Sequence, residues 1–408
     1  MIRVGLLGHG VVGSGVAEIL RKNGDVLWAR TGQRLELASI CDLRDFSHLE
    51  YASLFTKDAL AMARDKSIDV FVECMGGVEP ARSFVLEAVR QGKHVVTSNK
   101  ALVVAAGEEI AALAQEKGVR FLYEASVGGG IPVVTPIRQC LAANRLDRIA
   151  GILNGTTNYI LTRMKDGGVS FDAALQEAQR LGYAESDPSA DVQGDDARRK
   201  ICILAHIAFG SPLDDGHIFT EGISALTRED MLYARELGRS VKLLAVAELV
   251  SGGWRALVAP AMLPQGHPLG GVDDVFNAVL VHGDMVDDVL FYGRGAGALP
   301  TASAMVGDVL DIALHPGDAP LCPPRGELAV LPSLGGQTRL FTRVLRAPAE
   351  TADRVLAQIP GSRLVRLDGP AFQGEFGLIT EEGEEAALRK AIDELGLPHG
   401  AVLRYMSV

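Results

Sequence analysis

Short apolar runs alternate with amphipathic stretches through the first third of the chain. Ile2-Arg-Val-Gly-Leu-Leu7 reads as a buried strand, and Val16, Ala17, Ile19 and Leu20 then recur at helical spacing until Asn23-Gly24. A polar insert, Asp25–Arg34, separates this unit from a second strand pattern, Leu35–Cys41. A third strand pattern, Ile68–Glu73, leads into a helix over Pro80–Gln91 and a fourth strand, His94–Thr97. An alanine-rich helix over Ala101–Lys117 and a fifth strand, Arg120–Glu124, follow. Strands alternating with helices in this way predict a doubly wound parallel sheet over about residues 1–131.

Beyond that point the rhythm changes. Val133–Leu141 reads as helix, Asp147–Ile152 as strand, and Asn154-Gly-Thr-Thr-Asn158 as a polar turn into another helix. An amphipathic stretch over 171–181 delivers the chain to an acidic segment. Strand patterns at Ser240–Val250, Arg255–Pro260, Asn277–His282 and Asp287–Gly293 then predict an open antiparallel sheet. An apolar helix after Pro300 runs to Leu314, and His315–Gly336 is rich in Pro and Gly and reads as a linker. The remaining pattern is strand 338–346, helix 349–358, strands 363–368 and 372–380, helix 383–395 and strand 400–407, a βαββαβ order. The expected organisation is a nucleotide-binding domain at 1–131 with about 299–320 returning to it, an α+β catalytic and dimerisation domain at 132–298, and a separate module at 335–408.

Length and charge narrow the picture. The 408 residues exceed one core, and 48% hydrophobic with 22% charged residues is an ordinary globular composition. A net charge of −11 argues against non-specific nucleic-acid or anionic-membrane binding, and no apolar run is long enough for a membrane helix. The five cysteines, odd in number and never in a C-x-x-C pair, point away from a zinc site and towards a reducing cytoplasm.

Three stretches carry candidate chemistry. Gly8-His-Gly10-Val11-Val12-Gly13 follows a strand and opens a helix, the context in which glycines let the backbone approach a pyrophosphate at a helix N-terminus. Asp42, at the end of the second strand, is placed to bind a ribose 2′-OH and so favour NAD, whereas Arg44 would take a 2′-phosphate and favour NADP. Lys100 falls at the carboxyl end of the fourth strand, where open α/β sheets bind ligands. In Glu124-Ala-Ser-Val-Gly-Gly-Gly-Ile-Pro132, three successive glycines are entropically costly for a passive linker, and exposed carbonyls there would suit a cation. The third stretch, Gly182–Lys200, carries Glu185, Asp187, Asp191, Asp195 and Asp196 and then Arg198, Arg199 and Lys200. A helix starting near Asp195 puts Asp196 and Lys200 on one face. Taken alone, the segment reads more readily as a solvated acidic loop with an ordinary ion pair.

The order of Gly8–Gly13, Asn99-Lys100-Ala-Leu102, Glu124–Pro132, Gly151-Ile-Leu-Asn-Gly-Thr-Thr-Asn-Tyr-Ile160 and Leu181–Lys200 resembles the homoserine dehydrogenase family nearly through Ser303. The resemblance implies a Rossmann-type domain and NAD(P)-dependent hydride transfer between L-homoserine and L-aspartate 4-semialdehyde. It also implies Lys200 as acid/base, Lys100 assisting near the nicotinamide, and Glu185 and Asp191 as substrate ligands, while Asp196 suits either a catalytic role orienting Lys200 or a contact to the substrate ammonium. Gly182 and Gly297 would approach the cofactor, and Glu124, Val127, Gly129 and Ile131 would hold a sodium ion. A homodimer or homotetramer is expected. Residues 335–408 resemble an ACT domain, but Arg346-Ala-Pro-Ala-Glu350 stands where its acidic-Pro-Gly turn usually falls. The competing readings are an acylating aldehyde dehydrogenase using Cys74 as nucleophile and a non-catalytic nucleotide sensor.

Overall fold

The computed structural model describes residues 1–317, 328–348 and 351–406. Six parallel strands, β1 (Ile2–Leu7), β2 (Leu35–Cys41), β3 (Phe55–Thr56), β4 (Val70–Glu73), β5 (His94–Thr97) and β6 (Phe121–Leu122), form one sheet in the order β3-β2-β1-β4-β5-β6. The order reverses between β1 and β4, which opens a crevice at the carboxyl ends of these strands. Helices Val11–Lys22 and Ala298–Leu314 share one face. Gly15 permits their contact, since a Cβ there would lie 2.9 Å from the Ala298 carbonyl oxygen. The chain therefore returns to the first sheet after the second is built.

Two elements of this half depart from the sequence pattern. The insert after Gly24 contains a helix, Gly24–Thr31, closed by Gly32 in the left-handed region (φ 66°). Its periodicity is weak because only Leu27 is buried while Trp28 lies exposed. The sheet also has six strands where five were expected, because the two-residue β3 is too short to leave a pattern.

The second sheet collects β7 (Leu146–Ile152), β9 (Arg239–Val250), β10 (Gly253–Pro264), β11 (Phe276–Gly283) and β12 (Asp287–Arg294), with the short β8 (Phe219–Thr220) beside β10. These pair antiparallel in the order β12-β11-β7-β9-β10, apart from the parallel β8. Helix Asp195–Phe209 packs on one face of β7, β9 and β10. The expected helix over Val133–Leu141 is a single π-helical turn, Pro136–Cys140.

The C-terminal elements are β13 (Gln337–Thr338), β14 (Leu340–Val344), helix Thr351–Gln358, β15 (Arg363–Val365), β16 (Phe376–Ile379), β17 (Gly383–Glu384), helix Glu385–Glu394 and β18 (Leu403–Tyr405). They do not stand apart as the Pro/Gly-rich stretch suggested. β18 pairs with β14 on one side and with Ala261 and Met262 of β10 on the other, so the second sheet continues through β18-β14-β16-β15. Residues 318–327 of the expected linker, with Cys322, lie outside the described residues, as do positions 349, 350, 407 and 408. The linker's end is strapped down, with Trp254 N–H bonded to Ala329 O and Leu331 N–H to Trp254 O. A buried ion pair, Arg343 Nε to Asp230 Oδ1 at 2.7 Å, bolts β14 to helix Arg228–Glu236. Among the described residues no helix is long and apolar enough to cross a membrane.

Candidate active site

The first glycine-rich turn has the geometry its sequence implies. Gly8 sits at φ 92°, and a Cβ on Gly13 would lie 2.0 Å from Gly8 O, so side chains are excluded where β1 turns into the helix. Gly10 caps that helix, and Val11 and Val12 contribute its first N–H groups. Beside the turn lies a cavity of about 900 Å³ lined by Gly8, Gly10, Asp42, Arg44, Lys57 and Cys74 among others. It is large enough for the adenosine half of a dinucleotide.

At its rim Asp42 and Arg44 are bonded to each other. Asp42 accepts from Arg44 N, Nε and Nη2 and from His9 N. Those hydrogen bonds from Arg44 outweigh partial burial and hold the Asp42 carboxyl well below its usual range. Lys57, which no motif marked, is a further cation on the same wall.

The carboxyl end of β4 is organised by a buried glutamate. Glu73 Oε1 accepts from Met75 N at 2.6 Å, and Oε2 from the Thr97 hydroxyl at 2.5 Å. Thr97 in turn accepts from Asn99 N, and Asn99 caps the helix that Lys100 opens by accepting from Leu102 N. Burial pushes the Glu73 carboxyl up despite these bonds. Neighbouring Cys74 is a poor nucleophile, because burial and then the Glu73 charge push its thiol well up.

Two charged segments roughly a hundred residues apart in the sequence meet at Asp196. The acidic segment folds back through a short helix, Ser189–Val192, and Gly194 (φ 90°) starts the helix at Asp195. Lys200 lies one turn on. Its Nζ donates to Asp196 Oδ2 and to Leu153 O, both at 2.7 Å. The other carboxylate oxygen of Asp196 takes Lys100 Nζ at 2.9 Å. Burial alone would raise the Asp196 carboxyl, but Lys200 and Lys100 outweigh it and hold the group well below the carboxylate range.

Asn154, which sequence reasoning left in a polar turn, joins this cluster. Its side-chain amide donates to Asp196 Oδ2 at 2.9 Å and to Asp191 Oδ1 at 2.7 Å, while its carbonyl caps the next helix through Thr157 N. Asn-Gly-Thr-Thr at a helix start signalled the cap; nothing local signalled the bridge. The fold thus gathers Lys100, Lys200, Asp196, Asn154 and Asp191. Glu185 and Gly182 lie instead on the exposed stretch before Ser189, and the Glu185 side chain makes no hydrogen bond among the described residues.

The cation candidates form a buried loop. Glu124 Oε1 accepts from Val133 and Val134 N, and Oε2 from Thr135 N. Its own N–H donates to Asp308 Oδ2 at 2.9 Å. Asp308 is fully enclosed, and burial followed by the Glu124 charge pushes its carboxyl well up. Among the described residues no N–H is directed at the carbonyls of Val127, Gly129 or Ile131, all of which are buried. Gly129 lies against the second glycine-rich turn, with a Cβ position 2.4 Å from Gly295 O, and Gly297 of that turn caps the returning helix at φ 127°.

A dinucleotide crevice beside a lysine–aspartate–lysine cluster centred on a buried carboxylate fits an NAD(P)-dependent oxidoreductase acting on a CH–OH group. Comparison with known proteins makes this specific. The profile of "Homoserine dehydrogenase, NAD binding domain" matches residues 8–124, and that of "Homoserine dehydrogenase" matches residues 132–310. The chain is 40% identical to homoserine dehydrogenase of Synechocystis sp. over 97% of its own length and 96% of the relative's. It is 45% identical to that of Neisseria gonorrhoeae over 76% and 72%. A crystal structure of a homoserine dehydrogenase from Thiobacillus denitrificans superposes with a TM-score of 0.91 at 38% identity, covering 100% and 98% of the two chains. The chain belongs to the homoserine dehydrogenase family. Its reaction is the reversible NAD(P)-dependent transfer of hydride between L-homoserine and L-aspartate 4-semialdehyde.

Proposed function

We propose that Lys200 exchanges the proton with the substrate oxygen. The observation that carries this is donor arithmetic: an ammonium has three N–H groups, and buried Lys200 spends two, on Asp196 and Leu153 O. One donor is left for the reacting oxygen. NAD(P), when bound, supplies or receives the hydride. In the reducing direction the carbonyl π pair moves onto oxygen and Lys200 gives its proton; in the oxidising direction the same amine takes the hydroxyl proton. Asp196 fixes the rotamers of both lysines, and Lys100 adds positive charge where the oxygen becomes negative. Asp191, with Glu185 brought in from its exposed loop, takes the substrate ammonium. The test is turnover by Lys200→Ala alongside NADPH binding by fluorescence; retention of more than about a tenth of wild-type turnover with binding intact overturns the assignment.

Several finer assignments share this reading. Asp42 and Arg44 set the choice between NAD and NADP, because both stand on the adenosine wall. A hyperthermophilic archaeal homoserine dehydrogenase solved with NADPH resembles this chain at a TM-score of 0.65 and 27% identity, covering 77% and 98% of the chains. A sodium ion suits the carbonyls of Val127, Gly129 and Ile131, which among the described residues lack N–H partners and lie beside two buried acids, Glu124 and Asp308. Its role would be structural. The order β18-β14-β16-β15 is that of a split βαβ, which supports an ACT-like reading of the C-terminal elements. Threonine is the end product to assay for inhibition. Exposed Leu290 and Tyr292 on edge strand β12 suit a homodimer or homotetramer face. Cys41, Cys74, Cys140 and Cys202 are free thiols, in keeping with a cytoplasmic setting.

A further inference from the structure

Where β18 joins the two halves of the long sheet, a second cavity of about 480 Å³ opens. Its walls come from both halves. Arg148 of β7 and His267 of the loop after β10 face it from the catalytic sheet, while Arg339 and Arg404 reach it from the C-terminal elements.

The walls are mixed in charge, with Arg148, Arg339, Arg404 and His267 against Glu248, Asp288 and Glu382, but the unspent hydrogen-bond donors lie on the basic side. Arg404 is only 7% exposed, and its contact with Glu385 runs through Nε at 3.0 Å. Among the described residues its two terminal nitrogens make no hydrogen bond. The charge of Glu385 is moreover shared with Arg389, whose Nε lies 3.0 Å from Oε1. Arg148 approaches Glu248 no closer than 3.8 Å, and Arg339 approaches Glu381 no closer than 3.9 Å. His267 Nδ1 accepts from Leu269 N, which leaves Nε2 as the donor of a neutral ring, its pKa lowered by burial and by Arg148.

The acids on the same walls are engaged or outside. Glu248 is held by Arg255 at 2.9 Å, and Asp288 by His282 at 3.0 Å. Glu382 is exposed at the rim. Three guanidinium groups and one imidazole N–H thus converge with donors unspent. A buried guanidinium without acceptors is costly unless something supplies them.

We propose that this cavity is a binding site for a compact oxyanion, either the carboxylates of a small organic acid or a phosphate group. Planar guanidinium forks match such groups bidentately, which a single lysine would not. The volume suits a metabolite and excludes a polymer. Arg148 pairs with Glu248 across β7 and β9 on the face opposite helix Asp195–Phe209, so an occupant bridges the C-terminal strands to the strands that support Lys200.

Isothermal titration of the full chain with citrate and with inorganic phosphate tests this. NAD⁺ is kept saturating so that the first glycine-rich turn is filled, and chloride holds the ionic strength constant. The expected result is one saturable site for at least one probe. Citrate alone identifies a carboxylate site, phosphate alone a phosphate site, and both an oxyanion site without preference between them. Arg404→Gln should abolish the signal, but it strands buried Glu385 and risks the fold. Arg148→Gln and Arg339→Gln, with side chains 44% and 42% exposed, carry the test safely. Each should weaken binding about tenfold, the effect of losing one charge-assisted hydrogen bond. Absence of saturable binding for both probes overturns the proposal, as does unchanged affinity in both rim variants.

Discussion

Asp42 and Asp196 are both aspartates held well below the usual carboxylate range, yet they reach that state by opposite routes. Asp42 stands at the rim and is stabilised by hydrogen bonds, chiefly from an Arg44 whose side chain is 61% exposed. Such a pair is wetted and screened, so it contributes little to stability. Asp196 is buried, and its ionisation survives desolvation only because Lys200 and Lys100 both bear on it. The first can be exchanged to change preference. The second cannot be removed without stranding two cations. Direction of shift alone does not rank a site; the solvent around it does.

The sharpest way to test this contrast is at the buried cluster. Lys200→Ala is expected to lower kcat by about a thousandfold, within the range for a lost general acid, while NADPH fluorescence still reports cofactor binding. Retention of a tenth of wild-type turnover would move the proton to another group.

Asp196→Asn comes next. Breaking a buried pair from one side costs about 3–5 kcal/mol, to be read as a lower midpoint in chemical denaturation. The sign of its pH dependence follows from the depressed carboxyl. Its contribution is complete above the unfolded value of 3.8 and is lost as pH falls through the lower folded value. The stability gap between wild type and Asp196→Asn should therefore be full at neutral pH and close progressively below 3.8. A gap independent of pH in that range would show that Asp196 does not carry the charge.

At the rim the expected effects are smaller. Asp42→Ser should leave stability nearly unchanged and raise the NADP-to-NAD ratio of kcat/KM by about tenfold, the scale of one contact to a charged group. An unmoved ratio would place neither Asp42 nor Arg44 at the ribose. Smallest of all, Glu73→Gln should lower stability at neutral pH only slightly, because burial opposes the charge that the hydrogen bonds to this carboxyl favour. A thermal scan checks it, and a marked loss would show that the network from β4 to Asn99 needs the ionised acid.

Much of this site was legible because its signals are local. Gly8–Gly13 needs only a strand before it and a helix after, and Lys200 follows from Asp196 by one helical turn. Asn154 was not legible in its second role, since bridging Asp191 and Asp196 depends on two segments some forty residues apart. Glu185 carries the right charge in the right segment, but charge pattern does not say which acids fold inward. In the first sheet β3 was too brief to mark, and the helix Gly24–Thr31 shows almost no buried stripe. The continuity of the second sheet left no trace at all. The pairing of Arg404 with Ala261 is a matter of backbone register, and backbone hydrogen bonds are blind to residue type.

That pairing has a consequence for synthesis. β18 covers the edge of β10 at Ala261 and Met262, yet roughly 140 residues separate the two in the chain. At a ribosomal pace of about 5–20 residues per second, β10 emerges about 7–30 s before its neighbour exists. During that interval the end of a mostly apolar strand, beyond the Leu257 and Val258 that β8 covers, presents an unpaired border on the nascent protein. Birth of this enzyme therefore includes a window of vulnerability to edge-to-edge association, and a holdase acting on growing chains would find its natural foothold there.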